Sequence, residues 1–254
     1  MPRLRVDLAY DGSGFRGFAR QADQRTVQGQ LEEALSLLCG TAVTTTVAGR
    51  TDAGVHATAQ TVHCDVPADA GLLGDPDGAR RSLDAICGPE ITVWRVRQVP
   101  ATFDARFSAT QRRYRYRICD AGAMNPLWRH DTWQLGPPAL DVTAMQAGAQ
   151  HLVGEHDFAS FCRRAGDQHL VRRIDRLEVR RPRAGLVTLT VHGKAFCHQM
   201  VRSVTGCLVP VGQGSRPPGW VAEVLAARDR QAVSRVAPPH GLTLVGVSYS
   251  RSAG

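Results

Sequence analysis

The chain has 254 residues, a formal net charge of +8 and a mean hydropathy of −0.21. That length supports one large domain or two smaller ones with a proper core. No apolar run approaches the length needed to span a bilayer, and the opening Met1-Pro2-Arg3-Leu4-Arg5-Val6-Asp7 has no apolar leader, so a cytoplasmic protein without membrane association is expected.

An isoelectric point of about 9.6 favours a polyanionic partner. The positive charge is almost all arginine, Lys194 being the only lysine. Guanidinium meets phosphate as a two-pronged fork and stacks on bases. A GC-rich coding sequence would also account for the arginine-to-lysine ratio, but not for the net charge. Seven cysteines, an odd number with no CxxC pair, predict free thiols in a reducing compartment.

In chain order, Leu4 to Tyr10 alternates as a strand and ends in the turn Asp11-Gly12-Ser13-Gly14. Val27, Leu31, Leu35 and Leu38 recur at helical spacing, with Gly40 as the stop. Strands are predicted at 43–47 and 58–66, flanking the segment around Asp52, then a helix over 75–86 and a strand over 91–99. The pattern restarts near Pro100, with a strand at 112–119, a break at Gly136-Pro137-Pro138 and a helix through Val142, Met145, Ala149 and Leu152. A strand pair at 174–180 and 186–192 follows. Phe196, Met200, Val204 and Leu208 mark another helix, Trp220 to Ala227 a shorter one, and Leu242 to Tyr249 a last strand. Strands and helices are interspersed without βαβ regularity, which predicts an α+β, mixed α/β architecture. It divides into an N-terminal half, 1–104, and a C-terminal half, 105–254.

Gly12-Ser13-Gly14-Phe15-Arg16-Gly17 satisfies GxGxxG and follows a strand. A dinucleotide site needs those glycines to open a helix at once; here a mostly polar stretch intervenes, so the segment reads as a glycine-rich turn.

The segment Ala48-Gly49-Arg50-Thr51-Asp52-Ala53-Gly54-Val55-His56 sets an arginine and an aspartate two apart between glycines. A charged pair in a tight loop between strands is placed to meet a ligand. Arg50 would hold the Asp52 carboxylate ionised, as a nucleophile or proton acceptor at a sugar carbon requires. The same residues also suit a turn aspartate bonding its own backbone. In Arg112-Arg113-Tyr114-Arg115-Tyr116-Arg117-Ile118, period two puts Tyr114, Tyr116 and Ile118 on one face and Arg113, Arg115 and Arg117 on the other. Such a strand either stacks bases and meets phosphates or buries its tyrosines and solvates its arginines. In Ala195-Phe196-Cys197-His198-Gln199-Met200-Val201-Arg202, the His and Cys spacing matches no zinc pattern. Arg202 lies off the apolar stripe, able to reach a carboxylate or to face water.

These segments, with Phe103-Asp104-Ala105-Arg106-Phe107-Ser108-Ala109 and Gly154-Glu155-His156-Asp157-Phe158-Ala159-Ser160-Phe161, resemble the bacterial tRNA pseudouridine synthase A family. Tyr10-Asp11-Gly12-Ser13 and Gly241-Leu242 also fit, so the resemblance runs from about Leu4 to Tyr249. It implies the pseudouridine synthase fold, two similar sheet-and-helix halves around a basic cleft, in a homodimeric isomerase of tRNA processing. The substrate implied is uridine at positions 38, 39 and 40, in the anticodon stem-loop of tRNA; no cofactor and no metal are implied. Asp52 matches the catalytic aspartate, whether it attacks sugar or base or takes a sugar proton. Tyr114 matches the tyrosine that stacks on the uracil, Arg50 the arginine that aids base flipping, and Arg202 the arginine that pairs with the carboxylate. Two segments depart from the family pattern: Phe18-Ala19 stand where many members have Trp-Gln, and Asp84-Ala85-Ile86-Cys87-Gly88-Pro89-Glu90 replaces an Asn-rich stretch.

Overall fold

The computed structural model describes residues 1–163, 169–233 and 235–250. The first strand, β1 (Arg3–Tyr10), alternates half-buried and buried positions, as its polar–apolar alternation requires. A 3-10 turn at Gly12–Gly14 is capped by the Asp11 side chain, which accepts from the Ser13 amide. Helix α1 (Val27–Cys39) starts where Thr26 accepts from the Gly29 amide and ends at Gly40, whose φ of 65° is the left-handed stop that glycine adopts readily.

The strand predicted over 43–47 shrinks to β2 (Thr46–Val47). Residues 43 and 45 bond to α1 instead: the Val43 amide donates to Ser36 Oγ (2.9 Å), and the Thr45 amide and hydroxyl donate to Glu32 Oε1 (2.8 and 3.1 Å). Then come β3 (His56–Asp65), α2 (Pro76–Cys87), with Asp75 as cap and proline at the start, and β4 (Ile91–Val99). The chain continues through β5 (Ala109–Cys119), β6 (Trp133–Gln134), α3 (Val142–Gln150), β7 (Gly154–Asp157), β8 (Val171–Arg183) and β9 (Leu186–Gly193). It ends in α4 (Met200–Gly212), α5 (Trp220–Ala227) and β10 (Leu242–Tyr249). Helix α4 begins four residues later than the apolar spacing predicts, because Gln199 takes a left-handed φ of 64° and breaks the helical path behind Phe196.

The chain forms two compact units, Met1–Arg112 joined by the chain from Leu244 onward, and Arg113–Thr243. In the first unit β4, β1 and β3 are antiparallel neighbours, with Val6 opposite Val62 on one side and Val96 on the other, and β10 follows β3. Leu4, Leu8, Leu31, Leu35, Leu83 and Ile91 are fully buried, with α2 packed on β4 and α1 on α2. Residues of β1 that alternate with them point to the opposite face, where the Arg5 guanidinium lies 4.6 Å from the Tyr249 ring centre and 5.6 Å from that of Phe103. The second unit orders its strands β5, β9, β8, β7; Leu177 faces Val191, and α3 packs on β8 and α4. The short β6 pairs with β5 in parallel, Ile118 opposite Trp133. With the β1–β3, β1–β4, β7–β8 and β8–β9 ladders antiparallel, and five helices and ten strands among the described residues, the class is the mixed α+β expected from the sequence.

No helix among the described residues is long and apolar enough to cross a membrane. The expectation of free thiols holds for five cysteines. Cys162 and Cys197 are instead bonded, with Cα atoms 5.7 Å apart. The Arg163 amide donating to the His198 carbonyl (3.0 Å) brings their two segments side by side, a proximity that a sequence separation of 35 conceals.

Candidate active site

Several residues of the Asp52 loop are held by contacts within the first unit. At its entrance the Ala48 amide donates to the Thr61 carbonyl (2.9 Å) and the Ala48 carbonyl accepts from Arg112, at 3.0 Å from Nε and 2.5 Å from Nη2. Arg112 also donates from Nη2 to the Arg106 carbonyl (2.6 Å). Only 7 % of Arg112 is exposed, so a buried guanidinium clamps two carbonyls that lie far apart in the chain. On β5 it falls on the buried face with Tyr114 and Tyr116, as period two dictates.

The next anchor is Gln60, fully buried on β3. Its Nε2 donates to the Gly49 carbonyl (2.8 Å) and to the Tyr10 hydroxyl (3.2 Å). Tyr10 Oη is 2.8 Å from Thr51 Oγ1 in a buried hydrogen bond. The Phe18 amide donates to the Thr51 carbonyl, and the Val55 amide closes the turn onto the Asp52 carbonyl, both at 3.1 Å. The glycine-rich turn after β1 supports the loop from below. The Gly12 amide donates to His56 Nδ1 (3.0 Å), and a Cβ at Gly12 would stand 2.1 Å from the Val55 carbonyl oxygen. Gly17, at φ 100°, passes close to Thr51 and Ala53. The decoy GxGxxG segment is therefore the bed of the loop.

In this frame Asp52 is half-buried and Arg50 exposed. The backbone turns at Asp52, whose carbonyl accepts from the Val55 amide.

Tyr114 and Arg202 belong to the second unit. Tyr114, 6 % exposed, meets the Phe196 ring edge-on at 5.2 Å between centroids. Tyr116 is a core residue: fully buried, edge-on to Trp133, its hydroxyl donating to the Pro238 carbonyl (2.8 Å), its ring against Gly241. Burial pushes its phenol well above the ordinary range. Arg202, on the first turn of α4, donates from Nε to the Ala237 carbonyl (2.8 Å), while the Ala237 amide donates to the Arg202 carbonyl (3.1 Å). On the other face of β5, Arg117 pairs with Asp131 and lies over the Trp128 ring, as does Arg183 from β8. The Arg115 guanidinium is held below its ordinary pKa by burial and by Arg117. Its Nε is buried without a hydrogen-bond partner among the described residues.

The sequence singled out Asp52, Arg50, Tyr114 and Arg202. It missed Tyr10, Gln60 and Arg112 as supports of the loop. The available signal was faint: an arginine in phase with the two tyrosines of its strand.

The sequence profile of a family described as tRNA pseudouridine synthase matches residues 149–250. Proteins named tRNA pseudouridine synthase A are similar along nearly the whole chain: one from Frankia casuarinae is 50% identical, over 97% of this chain and 89% of its own length. One from Streptomyces griseus is 45% identical, over 99% and 89%, and one from Streptomyces avermitilis 44% identical, over 97% and 88%. With identity at that level across both compact units, the chain belongs to the tRNA pseudouridine synthase A family.

Proposed function

We propose that this protein isomerises uridine to pseudouridine in the anticodon stem-loop of tRNA, at positions 38, 39 and 40, with Asp52 as the nucleophile. The observation that carries the reading is a half-buried carboxylate on a loop whose backbone is bonded on both sides of it, in a chain half identical to a tRNA pseudouridine synthase A. Fixing the backbone removes the entropic cost of bringing a carboxylate to one atom of a bound nucleotide.

The chemistry balances within one nucleotide. The bond from uracil N1 to the ribose C1′ breaks and the base turns. A bond from C5 to C1′ then forms, C5 loses its proton and N1 ends protonated. Nothing is oxidised or reduced, so side chains suffice. Asp52 supplies the electron pair that carries the intermediate. Tyr114, braced by Phe196, offers a flat wall to the uracil; exposed Arg50 takes the place of the base that leaves the stack, a step costing a few kcal/mol. Arg202, oriented by the Ala237 carbonyl, binds substrate with a fixed positive charge. The +8 net charge and the arginine face of β5 favour a phosphate backbone as partner. The active form in this reading is a cytoplasmic homodimer.

The test is Asp52→Asn assayed on tRNA transcripts by carbodiimide mapping. Loss of the nucleophile is expected to lower the rate by several orders of magnitude while tRNA binding persists. Pseudouridine formation at the wild-type rate would overturn the assignment.

A further inference from the structure

Between β1 and the Asp52 loop lies a buried polar chain that packing alone does not require. Tyr10, Gln60 and Thr51 are 4 %, 0 % and 8 % exposed. Gln60 Nε2 bridges the Gly49 carbonyl and the Tyr10 hydroxyl, and that hydroxyl bonds to Thr51 Oγ1. The Gln60 carbonyl oxygen in turn accepts from the Thr61 amide (3.2 Å), which fixes the orientation of the amide. A phenylalanine and a valine would fill the Tyr10 and Thr51 spaces with apolar atoms, and a buried polar group is costly unless bonded. The hydroxyls make a directional link between a rigid strand and the residue immediately before Asp52.

We propose that Tyr10, Gln60 and Thr51 are positioning residues that set the orientation of the Asp52 carboxylate. The proposal rests on the reading of Asp52 as nucleophile. The Phe18 and Val55 amide bonds fix the Thr51 and Asp52 carbonyls but leave the Thr51 side chain unheld. The Thr51 hydroxyl supplies the second attachment, and Gln60 ties the same network to Gly49, on the far side of Arg50. Loss of one such bond leaves the loop folded and lets the carboxylate sample poor angles.

The variants are Tyr10→Phe and Thr51→Val, which remove the two ends of one hydrogen bond, with Thr51→Ser as the conservative replacement that restores it. Single-turnover pseudouridine formation with saturating enzyme reads the chemical step, filter binding reads tRNA affinity, and thermal melting shows that each variant is folded. Tyr10→Phe and Thr51→Val are each expected to slow the single-turnover rate about tenfold and to leave the tRNA Kd within about twofold. The double variant should be no slower than Tyr10→Phe, which already removes the Thr51 bond together with the one from Gln60, and Thr51→Ser should recover most of the rate. Rates within about twofold of wild type in folded variants, losses confined to Kd, or fully additive losses would each overturn the proposal. Should one variant fail to fold, the other still tests the link between Tyr10 and Thr51. Asp52→Asn separates the two claims. If it retains activity, the nucleophile assignment falls; if it is dead while Tyr10→Phe and Thr51→Val are unimpaired, only the positioning role falls.

Discussion

Gly12→Ala tests whether the turn after β1 sets the height of the Asp52 loop. The new Cβ would lie 2.1 Å from the Val55 carbonyl oxygen and 2.6 Å from its carbon, where real contacts stay beyond 3.0 Å. Both partners are backbone, so no side chain can swing away. The loop must rise by about 1 Å, judged from ordinary contact distances. Val55 is buried and its amide closes the turn onto Asp52, so the displacement passes into the residue bearing the carboxylate. A shift of ~1 Å at a catalytic group costs on the order of 10²-fold in rate, and overpacking of this kind costs about 1–3 kcal/mol of stability. Each kcal/mol corresponds to about 2–4 °C in Tm for a chain of this size. The assay is single-turnover pseudouridine formation on an anticodon stem-loop transcript, well below the variant's Tm. Gly71→Ala, where a Cβ meets nothing within 4 Å, is the matched control. A folded Gly12→Ala protein with a rate within about threefold of wild type would refute the reasoning.

Other consequences concern charge and thiols. The Asp120 carboxylate is raised by burial but lowered more by the Arg181 fork (2.9 and 2.7 Å) and the Leu140 amide (2.8 Å), so its pKa lies below the ordinary value. A depressed folded pKa means this stabilisation is complete above the unfolded carboxyl value, about 3.9, and fades as pH falls through the folded one. Asp120→Asn should flatten the acid limb of a Tm-versus-pH curve below that value, and an unchanged limb would contradict the assignment. Burial pushes the Cys64 and Cys207 thiols up to about 12 and Cys87 to about 11, whereas Cys39 is half-buried. Mass mapping after brief alkylation of native protein should therefore find Cys39 modified well before the other three, and labelling of Cys64 at the same rate would refute it. Replacing Arg113 and Arg115 together by glutamine should weaken tRNA binding and reduce the slope of log K against log salt by roughly 0.7–0.9 for each phosphate no longer neutralised. An unaltered slope would place the RNA backbone elsewhere.

Periodicity made most of the elements legible, because burial on one face imprints a one-dimensional pattern on Leu4–Tyr10, on Val27–Leu38 and on the strand pair around Pro182. It failed where a side chain captured the backbone. Glu32 drew Thr45 away from a strand ladder, and the left-handed Gln199 delayed α4 past Phe196. The motif residues Asp52, Arg50, Tyr114 and Arg202 were readable as a family signature and not as chemistry. Nothing local distinguishes a nucleophile from a turn aspartate.

By itself, then, the amino-acid sequence determined the α+β class, the basic character and the identity of the residues to watch. Only the tertiary structure decided what holds them. Tyr10 reaches Thr51 across 41 positions, Arg112 reaches Ala48 across 64, and Cys162 lies beside Cys197. These are polar and covalent links between segments distant in the chain, and they carry no repeat. A hydrophobic stripe announces itself through its period, whereas a single buried hydrogen bond depends on where two unrelated segments are brought together by the packing of everything else.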